Sequence, residues 1–357
     1  MQIDSLGWNE YFNAQFHDFR NSGYTPGRVA GQARDRYTIW GDFGILSAEV
    51  SGKFRFETRS RSEFPVVGDW VTALPHENGK SATIHALLPR RSSFSRKQAG
   101  FITEEQILAA NMDIAFVVAG LDQEFNPRRL ERYVVTAWDS GAMPVIVLNK
   151  ADICPDLSEY RSEAQKSAPT TPVATVSAKT GEGIDVLDQY LQPGTTGVLL
   201  GSSGVGKSSL INRLAGDERQ RIAEVREGDN KGRHTTTNRE LIVLPGGALI
   251  IDTPGLRELQ LWADEEEVDA AFSEIGELAE KCRFRDCRHE QEPGCAVLEA
   301  VTDGLLDEAR LRNYRKMRRE QRRLSTRKKL HEFQIEKQHV KKTIRSHERM
   351  IGRRERS

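Results

Sequence analysis

The 357-residue sequence contains no run of about 20 apolar residues, the length that a membrane-spanning helix requires. Its first residues, Met1 to Phe12, lack the basic and apolar stretches of a secretory signal, so we expect a cytoplasmic protein. Four cysteines are too few for a disulfide scaffold. Three of them lie close together between Cys282 and Cys295, which favours a local metal site.

The sequence also lacks net charge, because 52 lysines and arginines balance 52 aspartates and glutamates. This balance conceals two regions of opposite sign. Residues 310–357 hold 19 basic and 5 acidic residues, a net charge of +14, and the preceding residues carry −14. A block of like charge near a chain end is typical of an interaction segment, or of a solvated helix without a partner.

Short alternating runs of apolar and polar residues fill the first 105 residues. Alternation with a period of two, broken by Gly-Asp and Asn-Gly turns, predicts about five strands. Five strands in roughly 80 residues fit an oligonucleotide/oligosaccharide-binding (OB) barrel, and a β-domain of another topology is the alternative. The clearest runs are Tyr37–Trp40, Gly44–Val50, Asp69–Leu74 and Ser81–Leu88.

Continuous apolar strands alternate with amphipathic helices from about residue 110 to residue 260. This pattern predicts an α/β domain whose parallel sheet is covered by helices on both faces. The predicted strands are Asp113–Ala119, Pro144–Leu148, Pro172–Val176, Gly197–Leu200, Glu240–Leu244 and Ala248–Ile251, and the predicted helices include Arg129–Trp138, Ile184–Leu191 and Lys207–Ala215.

A glycine-rich segment between a strand and a helix matches the phosphate-binding pattern G-x-x-x-x-G-K-[ST]. Backbone N–H groups of such a loop curl around a phosphate at a helix N-terminus, where the dipole favours an anion. Lys207 would reach the β- and γ-phosphates, and Ser208 would bind Mg²⁺. A glycine-rich turn without a ligand is the alternative. The predicted binding residues here are Gly201, Ser202, Ser203, Gly204, Val205, Gly206, Lys207, Ser208 and Ser209.

Two further motifs follow predicted strands and indicate the base. They are Asn149-Lys150-Ala151-Asp152 and Ser177-Ala178-Lys179, and they resemble the guanine-specificity motifs of Ras-like GTPases. A carboxylate at Asp152 can accept hydrogen bonds from the ring N1–H and the exocyclic amine of guanine, a pattern that adenine does not present. The Lys150 stem can cover the base, and the Ala178 N–H can donate to the guanine O6.

Candidate magnesium and switch residues lie further along the chain. Asp252 follows a predicted strand and begins Asp-Thr-Pro-Gly, so we expect it to bind Mg²⁺ through water. The Gly255 N–H lies where a γ-phosphate would be sensed. In the polar segment Gly232–Thr237, the pattern of Ras-like GTPases assigns Thr236 to Mg²⁺.

The usual catalytic glutamine is missing. Ras-like enzymes place it after Asp-x-x-Gly to orient the attacking water, and this sequence has Leu256 there. Either hydrolysis is slow and depends on a partner, or another group orients the water. His234 is the nearest candidate, because the ordinary pKa of histidine lies near physiological pH. A His234 that merely packs in its loop is the alternative.

The order of these motifs differs from that of Ras-like GTPases, which have the phosphate loop first and the guanine motifs last. Here Asn149 and Ser177 precede Gly201. This order is typical of a circularly permuted GTPase, with the usual chain ends joined between Leu191 and Val198. Both flanking domains then attach near the second switch, where a change of order on hydrolysis could move them.

A second candidate site is the cluster Cys282-x4-Cys287-x-His289-x5-Cys295. Three thiolates and one imidazole fill the tetrahedral shell of Zn²⁺ and leave no position for a substrate water, so we predict a structural zinc site. Reduced cysteines without a metal are the alternative. The remaining cysteine, Cys154, is predicted to be a small buried residue.

Residues 310–350 contain no proline or glycine and few apolar residues, which predicts a helix. Their positive charge is typical of a nucleic-acid contact, and arginine-rich segments often fold on binding RNA. A barrel of the OB type and a zinc cluster in the same chain favour RNA over a solvated helix without a partner.

Together these residues resemble the RsgA (YjeQ) family of GTPases, and the likeness covers nearly the whole chain. The resemblance implies a bacterial cytoplasmic factor that acts late in maturation of the 30S subunit, binds 16S rRNA and hydrolyses GTP when that subunit stimulates it. It also implies a monomer with one structural Zn²⁺, and Mg²⁺ with GTP. The alternatives are an ATP-dependent enzyme and a permuted GTPase that acts on the large subunit or another RNA.

We therefore expect an α/β protein of four parts. Residues 1–105 form an OB-fold β-barrel with a short N-terminal extension, and residues 106–262 form a circularly permuted Ras-like P-loop GTPase domain. Residues 263–309 form an α-helical zinc-binding domain, and residues 310–357 form a basic C-terminal helix or tail.

Overall fold

The structure, a computed structural model, describes residues 2–33, 35–77, 79–97, 105–122, 125–216, 239–252 and 272–320, together with residues 322 and 326. In these residues, eleven strands form one continuous sheet and two more form a separate hairpin. No helix of the described chain is both long and apolar enough to cross a membrane.

The N-terminal region closes into a barrel of five strands, β1 (Thr25–Ala33), β2 (Arg36–Gly41), β3 (Gly44–Val50), β4 (Trp70–Pro75) and β5 (Ser81–Leu87). They pair in the order β1-β2-β3-β5-β4, and β4 returns to β1. In β3 the side chains of Leu46, Ala48 and Val50 are buried, while their neighbours in sequence are not. The predicted OB-type barrel is confirmed. The alternation of apolar and polar residues along a strand determines which side chains face the barrel core.

Two short helices accompany the barrel. Helix α1 (Glu10–Gln15) begins after Asn9, whose side chain accepts hydrogen bonds from two backbone N–H groups of the first turn. Its Phe12 and the preceding Trp8 pack against Trp70 of β4. Helix α2 (Gly52–Glu57) lies between β3 and β4. The N-terminal extension is therefore an aromatic cover for one end of the barrel.

A hairpin of β6 (Ser93–Lys97) and β7 (Glu105–Ala110) follows the barrel. The sequence pattern predicts no strand here, because Phe94 is the only apolar residue of β6 and the alternation is too short to be distinctive. Phe94 is buried in a large core cluster that contains Phe12 of α1 and also distant residues such as Val117 and Val198. Tertiary packing, which the local pattern does not record, makes this segment a strand.

The second region contains β8 (Ile114–Gly120), β9 (Met143–Asn149), β10 (Val173–Thr175), β11 (Thr196–Leu200), β12 (Arg239–Val243) and β13 (Leu249–Asp252). The strands lie in the order β10-β9-β8-β11-β13-β12. All are parallel except β12, which runs antiparallel to β13. The prediction of an all-parallel sheet is wrong at β12. The segment that connects Val243 of β12 to Leu249 of β13 is too short for a crossover between parallel strands.

Three helices pack on this sheet, α3 (Pro127–Asp139), α4 (Leu157–Ser167) and α5 (Lys207–Ala215). The predicted helix Ile184–Leu191 is wrong beyond one tight turn, since only Ile184–Leu187 is helical, as a 3-10 helix. Gly183 provides no side-chain cap at its start, and Pro193 lies close beyond its end, so a full α-helix is not favoured.

Backbone hydrogen bonds join the barrel to the second region, which contains strands β8 to β13. One edge of β1 is shared, because Thr25–Arg28 pair with β4 and Gly31 and Gln32 pair with β12. A register shift between Val29 and Gly31 separates the two halves, as expected where a β-bulge turns a strand. The two regions therefore form a single sheet of eleven strands.

Arg28 lies at this junction and is 1% exposed. Its guanidinium donates hydrogen bonds to the carbonyl oxygens of Leu6, Gly68 and Asn111. Burial lowers the pKa of Arg28 to about 10, while Asp113 and Asp69 act to raise it, so the group stays charged at neutral pH. One cation thus connects the N-terminal extension, the barrel and the segment that enters β8.

Residues 272–320, here called the C-terminal helical region, contain α6 (Ser273–Ala279), α7 (Ala296–Thr302) and a C-terminal helix of residues 308–320. Their core includes Phe272, Val297 and Met317 and also incorporates Val135 of α3. The C-terminal helical region therefore packs directly on α3. Beyond residue 320, the structure describes only residues 322 and 326 of the predicted basic helix, and both are helical.

We predict that Arg28→Met lowers the free energy of unfolding by about 2–4 kcal/mol, because three carbonyl oxygens at the junction lose their donor. Chemical denaturation measures this change. Arg36→Met is the matched control, since Arg36 is exposed and its pair with Glu49 lies at the surface. We expect a change within about 0.5 kcal/mol for the control. An unchanged midpoint for Arg28→Met would contradict its role at the junction.

Candidate nucleotide site and metal centre

The phosphate-binding segment Gly201–Ser208 connects the carboxyl end of β11 to the start of α5. Gly204 and Gly206 have φ values of 83° and 96°, in the region that glycine adopts without strain. A Cβ at Gly206 would collide with the side-chain amide of Asn149. Glycine here lets the loop approach the residue that begins the first guanine motif.

Lys207 lies beside this loop. Its Nζ donates hydrogen bonds of 2.6 Å to the carbonyl oxygens of Gly201 and Ser202. Three serines of the loop and of the first turn of α5 are exposed, namely Ser203, Ser208 and Ser209. The arrangement puts an ammonium group and hydroxyl groups next to backbone that can bind phosphate.

Asn149 connects all three predicted motifs. Its Nδ2 donates to the Val205 carbonyl oxygen at 2.8 Å, and its Oδ1 accepts from the Ala178 N–H at 2.9 Å. The side chain is 2% exposed, so both hydrogen bonds are shielded from water. The Ala178 N–H therefore positions Asn149, and its predicted contact with the guanine O6 stays a prediction.

Asp152 lies next to the second guanine motif. Ser177 Oγ donates to Asp152 Oδ1 at 2.7 Å, and Lys179 Nζ lies 3.7 Å from Asp152 Oδ2. The Ser177 hydrogen bond, followed by the smaller effect of Lys179, lowers the pKa of Asp152. The carboxylate therefore stays ionised, as an acceptor of two guanine N–H groups must be.

Lys150 has a left-handed backbone, with φ of 73°. Its Nζ lies 2.5 Å from Oδ2 of Asp122, a residue that none of the sequence motifs includes. A signal was available, because Asp122 follows β8, and ligand sites in open α/β sheets form at the carboxyl ends of strands. The ion pair fixes the Lys150 stem, which the sequence predicts to cover the base.

Asp252 ends β13 at the same edge of the sheet as the phosphate loop, since β11 and β13 are parallel and Val198 pairs with Ile251. Ser208 is in the first turn of α5 at that edge. Carboxylate and hydroxyl oxygens suit Mg²⁺, so both residues fit the predicted ion. The predicted Thr236, His234 and Gly255 lie outside the described residues and stay predictions.

Two arginines contact the motifs without any sequence signal that marks them. Arg213 of α5 donates to the carbonyl oxygens of Ala178 and Lys179, at 3.2 Å and 2.6 Å. Arg129 of α3 donates to Ser202 Oγ at 2.7 Å. Both reach the site from helices, and only the folded arrangement brings them there.

The four predicted metal ligands form one cluster, with all candidate ligand atoms within 4.8 Å of one another. His289 Nδ1 lies 3.4 Å from Cys295 Sγ and 3.6 Å from Cys282 Sγ, and these two sulfurs are 3.8 Å apart. Tetrahedral thiolates about 2.3 Å from Zn²⁺ would be roughly 3.8 Å apart. Cys282, Cys287, His289 and Cys295 therefore fit one zinc ion, whereas Cys154 is half-buried and lies apart.

Comparison with known proteins identifies the family. A family model described as RsgA GTPase matches residues 87–262. A relative from Opitutus terrae, named small ribosomal subunit biogenesis GTPase RsgA, is 48% identical over 330 residues, covering 90% of each chain. The chain belongs to the RsgA GTPase family. A relative of the same name from Syntrophotalea carbinolica is 46% identical, again over 90% of each chain.

Two crystal structures share the fold of this family member. YjeQ from Thermotoga maritima has a TM-score of 0.62 and 29% identity, and the match covers 84% of this chain and 98% of that one. YloQ, described as a circularly permuted GTPase, has a TM-score of 0.60 and 25% identity, covering 85% and 97%. The predicted permuted GTPase fold and GTP-hydrolysing activity are confirmed, and RsgA GTPase membership implies Mg²⁺ with GTP.

We predict that Asn149→Ala lowers both the stability and the nucleotide affinity of this RsgA GTPase, because the Ala178 N–H and the Val205 carbonyl would lose their buried partner. A loss of about 2 kcal/mol in unfolding free energy is expected, together with weaker binding of fluorescent GDP. Asn21→Ala, at an exposed amide outside the nucleotide motifs, is the control. Normal GDP affinity in folded Asn149→Ala would contradict the linking role.

Proposed function

We propose that this GTPase acts in biogenesis of the small ribosomal subunit and that the 30S subunit stimulates its GTP hydrolysis. The observation that supports this most is similarity over 90% of the chain to relatives named for that process. The family model matches residues 87–262, whereas the similarity to these relatives covers 90% of the chain, so it also includes parts outside the nucleotide site. The proposed role is in the late stages of 30S subunit maturation.

In this proposal the motifs predicted from the sequence divide the work of binding GTP. Asp152 and Ala178 recognise guanine, and the loop Gly201–Ser209 surrounds the phosphates with Lys207 as the main cation. Ser208, Thr236 and, through water, Asp252 hold Mg²⁺. His234 orients the attacking water, and Gly255 senses the γ-phosphate. The ion's chemistry is to neutralise charge that develops on the phosphate oxygens.

The proposed partner is 16S rRNA in the 30S subunit. Support comes from the net charge of +14 on residues 310–357 and from the barrel at the other end of the chain. We propose a cytoplasmic monomer that keeps the divisions at residues 105 and 262. The predicted division at residue 309 falls within the helix of residues 308–320, whose Met317 shares a core with Phe272 and Val297. A permuted GTPase that serves the large subunit is the competing proposal, because charge alone does not select a subunit.

The deciding experiment measures GTP hydrolysis with purified 30S and 50S subunits added separately. We expect stimulation by 30S subunits alone, and loss of that stimulation as salt rises, because phosphate contacts release counterions. Removing residues 327–357 should reduce the salt dependence of 30S binding. Stimulation by 50S subunits instead would favour the competing proposal.

We predict that Asp152→Asn weakens GTP binding at least about tenfold, because an amide cannot accept from both guanine N–H groups. The same change should improve binding of xanthosine triphosphate, whose 2-oxo group accepts from an amide. Since the pKa of Asp152 is lowered, the preference of the unaltered protein for GTP over ATP should hold as pH falls from 7 to about 5. Asp156→Asn, at the α4 cap, is the control; an unchanged base preference in Asp152→Asn would refute the assignment.

We propose that the Cys282–Cys295 cluster binds one structural Zn²⁺. Metal analysis of the purified protein should find one zinc per chain, and Cys295→Ser should lose it and lower the melting temperature. Cys154→Ser is the matched control, since Cys154 is outside the cluster. A reduced protein that contains no metal and melts unchanged in chelator would rule out zinc.

A further inference from the structure

Arg129 contacts the phosphate loop from outside the nucleotide motifs. Its Nη1 donates a hydrogen bond of 2.7 Å to Ser202 Oγ, and the Ser202 carbonyl oxygen accepts from Lys207. The second residue of the loop is therefore held by two cations, one from the loop's own helix and one from α3. Because the donor is charged, the Arg129 contact is among the stronger kinds of hydrogen bond.

Helix α3 brings Arg129 to this position. It begins at Pro127, and the Asn126 side chain accepts from the Arg129 N–H at 3.1 Å, which fixes the first turn. At 3.6 residues per turn, Leu130 belongs to the sheet core and Val135 to the core of the C-terminal helical region. Arg129 lies in the first turn of α3, outside both core faces, and its side chain reaches the phosphate loop.

A buried carboxylate two residues further along attaches α3 to the C-terminal helical region. Glu131 is 2% exposed and accepts from Arg128 at 2.7 Å, from Arg310 at 3.0 Å and from Asn313. A buried charge of this kind is stable only while its donors surround it. Two of the three donors come from the C-terminal helix, so separating it from α3 would leave Glu131 poorly compensated.

Two ion pairs lie on either side of Glu131. Arg128 Nη2 is 2.5 Å from Asp307 Oδ2, and Arg132 Nη2 is 3.0 Å from Glu320 Oε2. Arg128, Glu131 and Arg132 occupy one face of α3, at positions i, i+3 and i+4. The first two turns of α3 are thus fixed to the C-terminal helical region on one side and to the phosphate loop on the other.

We propose that Arg129 is a positioning residue for the phosphate loop, and that the C-terminal helical region sets its placement through α3. The inference rests on the nucleotide site proposed above. Holding Ser202 before nucleotide arrives lowers the cost of ordering the loop. A partner that shifts the C-terminal helical region changes nucleotide affinity by moving Arg129.

A double-mutant cycle tests the contact itself. Arg129→Ala and Ser202→Ala, singly and together in the full-length protein, are titrated with fluorescent GDP and a non-hydrolysable GTP analogue. We expect Arg129→Ala to weaken both nucleotides on the order of tenfold, to raise KM rather than lower kcat, and to add little in the Ser202→Ala background. Arg129→Lys should restore part of the affinity. Arg161→Ala, exposed on α4, is the control; equal effects of Arg129→Ala in both backgrounds would overturn the proposal.

A second cycle tests the connection through α3. Arg132→Ala removes the pair with Glu320 without uncovering Glu131, and should weaken GDP binding about twofold, but not in the Arg129→Ala background. Asn313→Ala should act in the same direction more strongly. Unchanged affinity in both variants would overturn the role of the C-terminal helical region. If the unaltered protein binds no guanine nucleotide, the proposed nucleotide site itself fails, which is a different result.

Discussion

The nucleotide site depends on one buried side chain, Asn149. Its amide holds Val205 of the phosphate loop and Ala178 of the last guanine motif at hydrogen-bond distance, although 56 residues separate Asn149 from Val205. Neither bond can exchange with water, so losing either would leave a polar group buried and unsatisfied. Circular permutation changes the order of the strands along the chain. It does not change this junction, which depends on where the strand ends meet.

Buried ions mark the places where regions of the chain meet. Arg28 lies between the N-terminal extension and the barrel, and Glu131 lies between α3 and the C-terminal helical region. Within the barrel region, burial raises the pKa of Asp69, and its pairing with Arg90 at 2.8 Å opposes that shift. Any other arrangement that buried Arg28 or Glu131 without these partners would be strongly unfavourable, because a buried charge without a partner keeps its full desolvation cost. The charges therefore favour one arrangement of the parts.

The sequence correctly places a glycine-rich loop between a strand and a helix and indicates the Cys–His cluster, because glycine at Gly206 or cysteine at Cys295 has few other uses at such spacings. Strands with clear periodicity, such as β3, are predicted equally well. The hairpin around Phe94 is not, since its burial comes from distant residues. Arg129 and Glu131 also escape prediction, because a charged residue on a helix is ordinary until the fold supplies its partner. Local chemistry is visible in the sequence, and contacts across more than 70 residues are not.

The divided edge of β1 has a consequence for how the chain is made. On the ribosome, Gly31 and Gln32 emerge early, but their partners Glu240 and Arg239 follow about 200 residues later. At roughly 5–20 residues per second, that interval is on the order of 10 to 40 seconds. During it, half of one β1 edge has no strand beside it and is open to pairing with other chains. The nascent barrel therefore exposes this part of β1 until residues 239 and 240 have been made.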